Sequence, residues 1–246
     1  APSPTSVALR SIRAATYDDE VDGIILDIDS GGGGITASDI IFKALLDFRE
    51  ARPGRKIVAI FGDVAASGAY YIALASDQIM ARPTSITGSI GVLMKSVNLE
   101  ELATRYGIKD VTIVSGSNKD LLNPLKAISP EHEEILQAVV DEMHARFERL
   151  LADRRELHED HAHKLADGRI FTAQKAFDMG LIDDIGYWDD AVKVTARELG
   201  VPQVKVFRYE ERFSFTDFLK GFGGVTTPQT LLRNLTRPQL LYFWQY

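Results

Sequence analysis

The stretch "IVAIFGDVAASGAYYIALASD", residues 57–77, joins two kinds of chain at one point. Its opening, "IVAIFG", is an unbroken apolar run, the mark of a strand buried on both faces in a sheet covered by helices. After Gly62 the residues become small, Ala65, Ala66, Gly68 and Ala69, around a single hydroxyl, Ser67, and a helix is expected to start near that serine. Small residues let another backbone approach closely, and a serine so placed is either a helix cap or a nucleophile. Caps are the commoner of the two, so the stretch alone favours the cap.

Upstream, "SVALRSIRAATYDDEV" has apolar residues at 9, 12 and 15 and reads as a helix, followed by "GIILDID" as a short strand. "SGGGG" ends that strand, and "ITASDIIFKALLDFREA" reads as the next helix. Downstream, "DQIMARPTSITGSIGVLM" gives a short strand and a glycine-punctuated turn, then "NLEELATRYG" a helix and "DVTIVSG" a strand. The longest helix is expected to open at Ser129, with Pro130 in its first turn, and to run to about Leu157. "RIFTAQKAFDMGLIDDIGYWDDAVKVTARELG" adds a helix, an Ile-Asp turn and a closing helix. Buried strands alternating with amphipathic helices imply an α/β fold with a mainly parallel sheet and crossover helices. From Val204 the chain turns aromatic-rich and poorly periodic, so residues 1–202 are expected to form the domain and 203–246 an extension, read as an oligomer contact.

Composition narrows the function. A net charge of −7 argues against a polyanion partner, so nucleic-acid binding is set aside. The absence of cysteine removes thiolate chemistry and thiolate metal sites. No run reaches the roughly 18 consecutive apolar residues of a membrane span. The five histidines fall between positions 132 and 163, and "HEDHAH" with His158, His161 and His163 reads as a solvated helix end rather than a metal site. No metal and no cofactor is expected.

The chemistry that remains sits at strand ends, where an α/β sheet presents reactive groups. The glycine run Gly31, Gly32, Gly33 and Gly34 lacks the Lys-Ser/Thr pair of a phosphate loop, but it offers N–H groups free of side chains, as an oxyanion hole needs. A nucleophilic Ser67 would need a base, and no histidine lies beside a glycine turn. Lys119, in "SGSNKDLLNP", stands just past an expected strand, and Ser89 in "TSITGSIGV" stands at another glycine turn. A lysine acts as base only when neutral, and moving it from about 10.4 towards 7 costs roughly 4–5 kcal/mol, a shift that burial can produce. On spacing alone an exposed loop lysine is the plainer reading of Lys119.

Four ordered motifs change that balance: "IILDIDSGGGG", "AASGAYYIALASDQIMARPTSITGSIGVLM", "SGSNKDLLNP" and "DGRIFTAQKAFDMGLIDDIG". Over about residues 7–200 the chain resembles the signal peptide peptidase family of serine-lysine proteases, which share the ClpP and crotonase type of fold. The resemblance implies that Ser67 is the nucleophile, Lys119 the general base and Ser89 the residue that holds the lysine amine. It implies oxyanion donors at the N–H of Gly33 and of Gly68. Two positions depart from the family's usual pattern: Gly31 stands where proline is usual, which loosens the loop, and Ala69 stands for a second glycine, which narrows the pocket. The implied substrates are cleaved signal peptides and other hydrophobic or unfolded peptides.

The resemblance also implies a membrane-anchored protein with its catalytic domain on the extracytoplasmic side, periplasmic or extracellular. The sequence starts with alanine in "APSPTS", and an N-terminal anchor is expected to precede it. Two-domain relatives bring the lysine of one half to the serine of the other, so a homo-oligomer with active sites at subunit interfaces is expected. The alternatives are a related membrane-associated serine protease with a different target, a crotonase-type acyl-CoA enzyme, which needs no nucleophilic serine, and a catalytically dead scaffold.

Overall fold

The computed structural model describes residues 3–209 and the backbone of residues 239–243. Its organising element is the strand that opens the stretch quoted above, β3 (Lys56–Ala66), with β1 (Gly23–Ser30), β2 (Gly32–Gly34), α1 (Pro4–Tyr17) and α2 (Ile35–Glu50) before it. Along β3, Ile57, Ala59 and Phe61 pack into the larger core while Val58 and Ile60 pack into a second cluster with Met80, Ala191 and Val194. All five β3 side chains are fully buried. Strand alternation sends neighbours to opposite faces, so an unbroken apolar run is what two covered faces require. Each of the larger aliphatic side chains among them contributes on the order of 1.5–3 kcal/mol.

Downstream come α3 (Gly68–Ala73), β4 (Gln78–Ala81), β5 (Ile86–Gly88), β6 (Leu93–Lys95), α4 (Glu100–Arg105), a 3₁₀ turn (Ser117–Asp120) and α5 (Pro130–Arg155). Then follow α6 (Glu159–Leu165), β7 (Ile170–Thr172), α7 (Ala173–Asp178), β8 (Asp184–Ile185), α8 (Trp188–Glu198) and β9 (Gln239–Phe243). The main sheet runs β7-β5-β3-β4-β8 with β1 also on β3, all parallel except β7 against β5. β3 changes partners along its length: Val58 to Phe61 face β4, whereas Val64 to Ala66 face β5. Between them the β1 register shifts, and Asp29 accepts the Val64 N–H at 3.1 Å. A Cβ at position 62 would lie 2.7 Å from that of Asp29, so the crossing point demands Gly62.

The expected long helix is present as α5, with the Ser129 side chain accepting the His132 N–H and Pro130 in the first turn. It ends at Glu156, which takes a left-handed conformation. The strand expected over "DVTIVSG" does not form: residues 108–114 belong to no regular element, and Val111 and Ile113 are 85% and 95% exposed. The apolar, β-branched composition is that of a strand, but none of the described strands pairs with it. The expected Ile-Asp turn contains β8, which pairs with β4, and "RIFT" opens with β7 before the helix begins. Within the expected extension, residues 210–238 lie outside the described residues, while 239–243 form β9.

Arg55 ties the helical layer together at the start of β3. Its guanidinium donates to the carbonyls of Ala15, Thr16, Asp18 and Phe48 at 3.0–3.3 Å and stacks over the Phe48 ring at 4.4 Å. It satisfies carbonyls around the C-terminal ends of α1 and α2, which helices leave unpaired. Arg55→Met is expected to destabilise the protein by about 2–4 kcal/mol, read from the urea unfolding midpoint; an unchanged midpoint would mean that water serves those carbonyls equally well.

Candidate active site

Ser67 follows β3 directly and caps α3 with φ 55° and ψ −120°, a conformation that costs a non-glycine residue about 1–3 kcal/mol. The strain is held from both sides. The Ser67 N–H donates to the Gly88 carbonyl at 2.7 Å, and the Ser67 carbonyl accepts from the Tyr71 N–H at 2.9 Å. The hydroxyl accepts no helix N–H: its Oγ is buried and has no hydrogen-bond partner among the described residues, so the cap reading fails at the one atom that would define it. A buried hydroxyl without a partner is costly and calls for a functional reason.

Ser89 is the counterpart on the adjacent strand. Ala66 of β3 lies opposite Gly88 of β5, so Ser67 and Ser89 leave neighbouring parallel strands at the same level. Ser89 also has positive φ, 51°, and its N–H donates to the Arg169 carbonyl at 2.7 Å. Gly88, just before it, has φ 93°, and a Cβ there would meet Phe171 at 2.6 Å and the Arg169 carbonyl at 2.8 Å. Gly68 supplies the first N–H of α3, which has no intrahelical acceptor. Gly33 lies on β2, where a Cβ would meet nothing within 4 Å.

Within the chain no hydrogen bond joins Lys119 to the Ser67 hydroxyl. Lys119 sits on the exposed 3₁₀ turn, and its ammonium has no hydrogen-bond or ion-pair partner among the described residues. The turn beneath it is nevertheless built. Lys126 bridges Asp120 at 2.6 Å and Asp110 at 3.0 Å, and Asn123 donates to both carboxylates. Hydrogen bonds from Lys126 and Asn123 hold the Asp120 carboxyl below the usual carboxylate range. The arm carrying the turn exposes Tyr106, Ile108, Val111 and Ile113. Among the described residues no group of three or more His, Asp or Glu side chains stands together as a metal cluster; His158 caps α6 and His163 pairs with Glu148.

The model of peptidase family S49 matches residues 49–202, a span that contains Ser67, Ser89 and Lys119. The chain belongs to peptidase family S49. Like that family's signal peptide peptidases it is a serine protease with an α/β, ClpP-like fold. The chain is 37% identical over 199 residues to a Synechocystis sp. protein named as a candidate protease, covering 81% of this chain and 69% of that one. It is 34% identical over 202 residues to an Enterococcus faecium protein named as a candidate signal peptide peptidase, covering 82% of this chain and 58% of that one. A point mutant of ClpP1 from Listeria monocytogenes superposes with a TM-score of 0.51 at 17% identity, covering 76% of this chain and 86% of that one.

Several supports of the candidate site carry no sequence signal of their own. The hydroxyls of Ser85 and Thr87 donate to the carbonyls of Gly62 and Ala65 at 2.6 Å each, fixing the far half of β3. Tyr71 donates to Asp39 at 2.6 Å, and Arg146 to the same oxygen at 2.7 Å, tying α3 to the N-terminal half of α2 and to α5. Burial and the Asp39 hydrogen bond push the Tyr71 phenol up to about 12. Burial alone would raise Asp39, but the Tyr71 and Arg146 hydrogen bonds outweigh it and hold the carboxyl down. Polar positions scattered over residues 39, 71, 85, 87 and 146 become one framework only when the sheet brings them together. Gly88→Ala is expected to cost about 2–4 kcal/mol in urea unfolding, from positive φ plus overpacking. Gly33→Ala, with open space around it, is expected to change stability by less than about 0.5 kcal/mol.

Proposed function

We propose that this protein is a serine endopeptidase whose Ser67 nucleophile is served by the Lys119 of a neighbouring copy, in a homo-oligomer. The observation that carries the reading is the mismatch within one chain: among the described residues, a buried Ser67 hydroxyl with no partner, and an unpartnered Lys119 ammonium on an exposed arm. Each half lacks what the other has. The arm's exposed apolar residues, with residues 109–114 in no strand or helix, suit burial against a second copy, which would also supply the dry surroundings a neutral amine needs.

In the proposed reaction neutral Lys119 takes the Ser67 proton as the serine oxygen attacks a peptide carbonyl. The N–H groups of Gly33 and Gly68 receive the charge on that carbonyl oxygen. Lys119 then protonates the leaving amine, and water, deprotonated in turn by Lys119, releases the acyl group from Ser67. Ser89, level with Ser67 on the adjacent strand, is the residue placed to orient the amine.

The proposed substrates are cleaved signal peptides and other hydrophobic, unfolded chains. A cavity of about 500 Å³ beside β6 sets Val92, Met94, Leu121 and Leu136 next to Asn98 and Lys126, a mixed lining that suits an extended peptide with apolar side chains. The membrane-anchored, extracytoplasmic location is carried over from the family resemblance; no helix among the described residues is long and apolar enough to cross a membrane. The catalytic unit is taken as residues 1–202.

Ser67→Ala and Lys119→Ala are each expected to abolish hydrolysis of short hydrophobic peptides. Mixing the two inactive variants after dissociation and reassembly should restore about a quarter of wild-type activity, since one head-to-tail interface in four then joins an intact serine to an intact lysine. No recovery from a mixture shown to contain both chains would refute the shared site. Labelling by a serine-reactive phosphonate at Ser67 separates this reading from an acyl-CoA enzyme, which would remain unlabelled.

A further inference from the structure

Tyr71 takes hold of the chain at two points. Its N–H donates to the Ser67 carbonyl at 2.9 Å, while its hydroxyl, at the far end of the side chain, donates to Asp39 of α2 at 2.6 Å. That helix begins directly after the glycine strand β2, with Gly34 as its cap. One side chain therefore spans from the segment carrying Ser67 and Gly68 to the segment that follows Gly33, and the two glycines are the proposed oxyanion donors. Tyr71 is 1% exposed and makes T-shaped contacts with Phe42 of α2 and Phe147 of α5, at centroid separations of 5.4 and 5.1 Å. Arg146 of α5 donates to the same Asp39 oxygen at 2.7 Å, so the acceptor is anchored from a third helix and the Tyr71 bond is charge-assisted.

We infer that Tyr71 is a positioning residue: its hydroxyl, held by Asp39, sets the separation of the Gly33 and Gly68 N–H groups and with it the fit of the oxyanion hole. The inference rests on the serine endopeptidase reading. The two donors belong to different elements, and neither glycine has a side chain to steer it. α3 is six residues long, too short to keep a direction of its own, and it packs against both β2 and α2. Apolar packing among Phe42, Tyr71 and Phe147 is non-directional, so by itself it lets α3 shift against α2. A phenylalanine at 71 would fill the same space; the hydroxyl adds a direction. Burial and the Asp39 bond push the phenol up to about 12, so it stays a proton donor wherever the reaction would run. Small displacements matter here, because oxyanion donors act at about 2.7–3.1 Å and a misplacement of about 1 Å costs on the order of a hundredfold in rate.

Tyr71→Phe keeps the ring and removes only the hydroxyl. For hydrolysis of a short hydrophobic peptide it is expected to lower kcat about tenfold while KM changes less than about twofold. Inhibition by the matching peptide aldehyde should weaken by about the same tenfold, because the adduct with Ser67 carries a tetrahedral oxygen that the bound substrate lacks. Asp39→Ala is expected to lose as much as Tyr71→Phe, and the double variant no more than either, since both remove one bond. An unchanged kcat in Tyr71→Phe, whatever its urea midpoint, would mark the bond as structural only and overturn the inference. A loss confined to KM, undiminished aldehyde inhibition, or additive losses in the double variant would overturn it as well. A wild-type chain that neither hydrolyses the peptide nor takes a phosphonate at Ser67 would refute the endopeptidase reading and the inference with it. A wild-type chain that does both, with Tyr71→Phe unaltered, would overturn the inference alone.

Discussion

Everything in this fold is hung on β3, eleven residues buried almost throughout that exchange one set of neighbours for another half-way along. Its first half is clamped between β1 and β4 and its second half lies against β5, so the strand cannot slide or twist without breaking one of the two pairings. The join is made by Gly62 lying against Asp29, with Ser85 and Thr87 holding the carbonyls on either side. Ser67 is therefore the end of a rigid bar. The Gly88 carbonyl, itself fixed by a glycine that tolerates no side chain, accepts the Ser67 N–H and keeps the serine in its strained conformation. Local strain persists only where the surroundings over-determine it, and here they do so through one hydrogen bond at each side of the residue.

The two halves of the proposed dyad stand in opposite mechanical settings. Ser67 is embedded in tight packing, between Ala66, Gly68 and the fully buried Tyr70. Lys119 stands on an arm that contributes almost nothing to either core and is kept in shape by a polar knot of Asp110, Asp120, Asn123 and Lys126. Stability is not spread evenly over a protein, and segments with few buried apolar contacts open at low cost. The polar knot gives the lysine turn a defined form without burying it, which suits the proposed meeting with the serine of another chain.

The sequence made the elements with strong internal periodicity legible and left obscure those that exist only through long-range pairing. The apolar run of β3, the amphipathic α2 and the Ser129-Pro130 start of α5 carry their own signals, and each is where it was expected. β6, β7 and β8, two or three residues each, have no periodicity to read and owe their existence to their partners. The converse case is "DVTIVSG", whose composition is that of a strand and which stays irregular because none of the described strands pairs with it. At the site, Ser67 was marked by the small residues around it, while the role of Lys119 came only from the family resemblance. Nothing in the spacing distinguishes it from a surface lysine, and in the single chain it is one. The supporting groups, from Asp39 to Arg146, are ordinary polar residues until the fold assembles them.

Neither β2 nor β6 has the means to be a strand by itself. A three-glycine strand loses much conformational entropy on becoming ordered and has no side chains to pack in return. Such a strand gains most from a partner that supplies hydrogen bonds, and any extended backbone supplies them equally. Glycine at these positions therefore leaves N–H groups free of side chains and makes the strand depend on a partner for its own order.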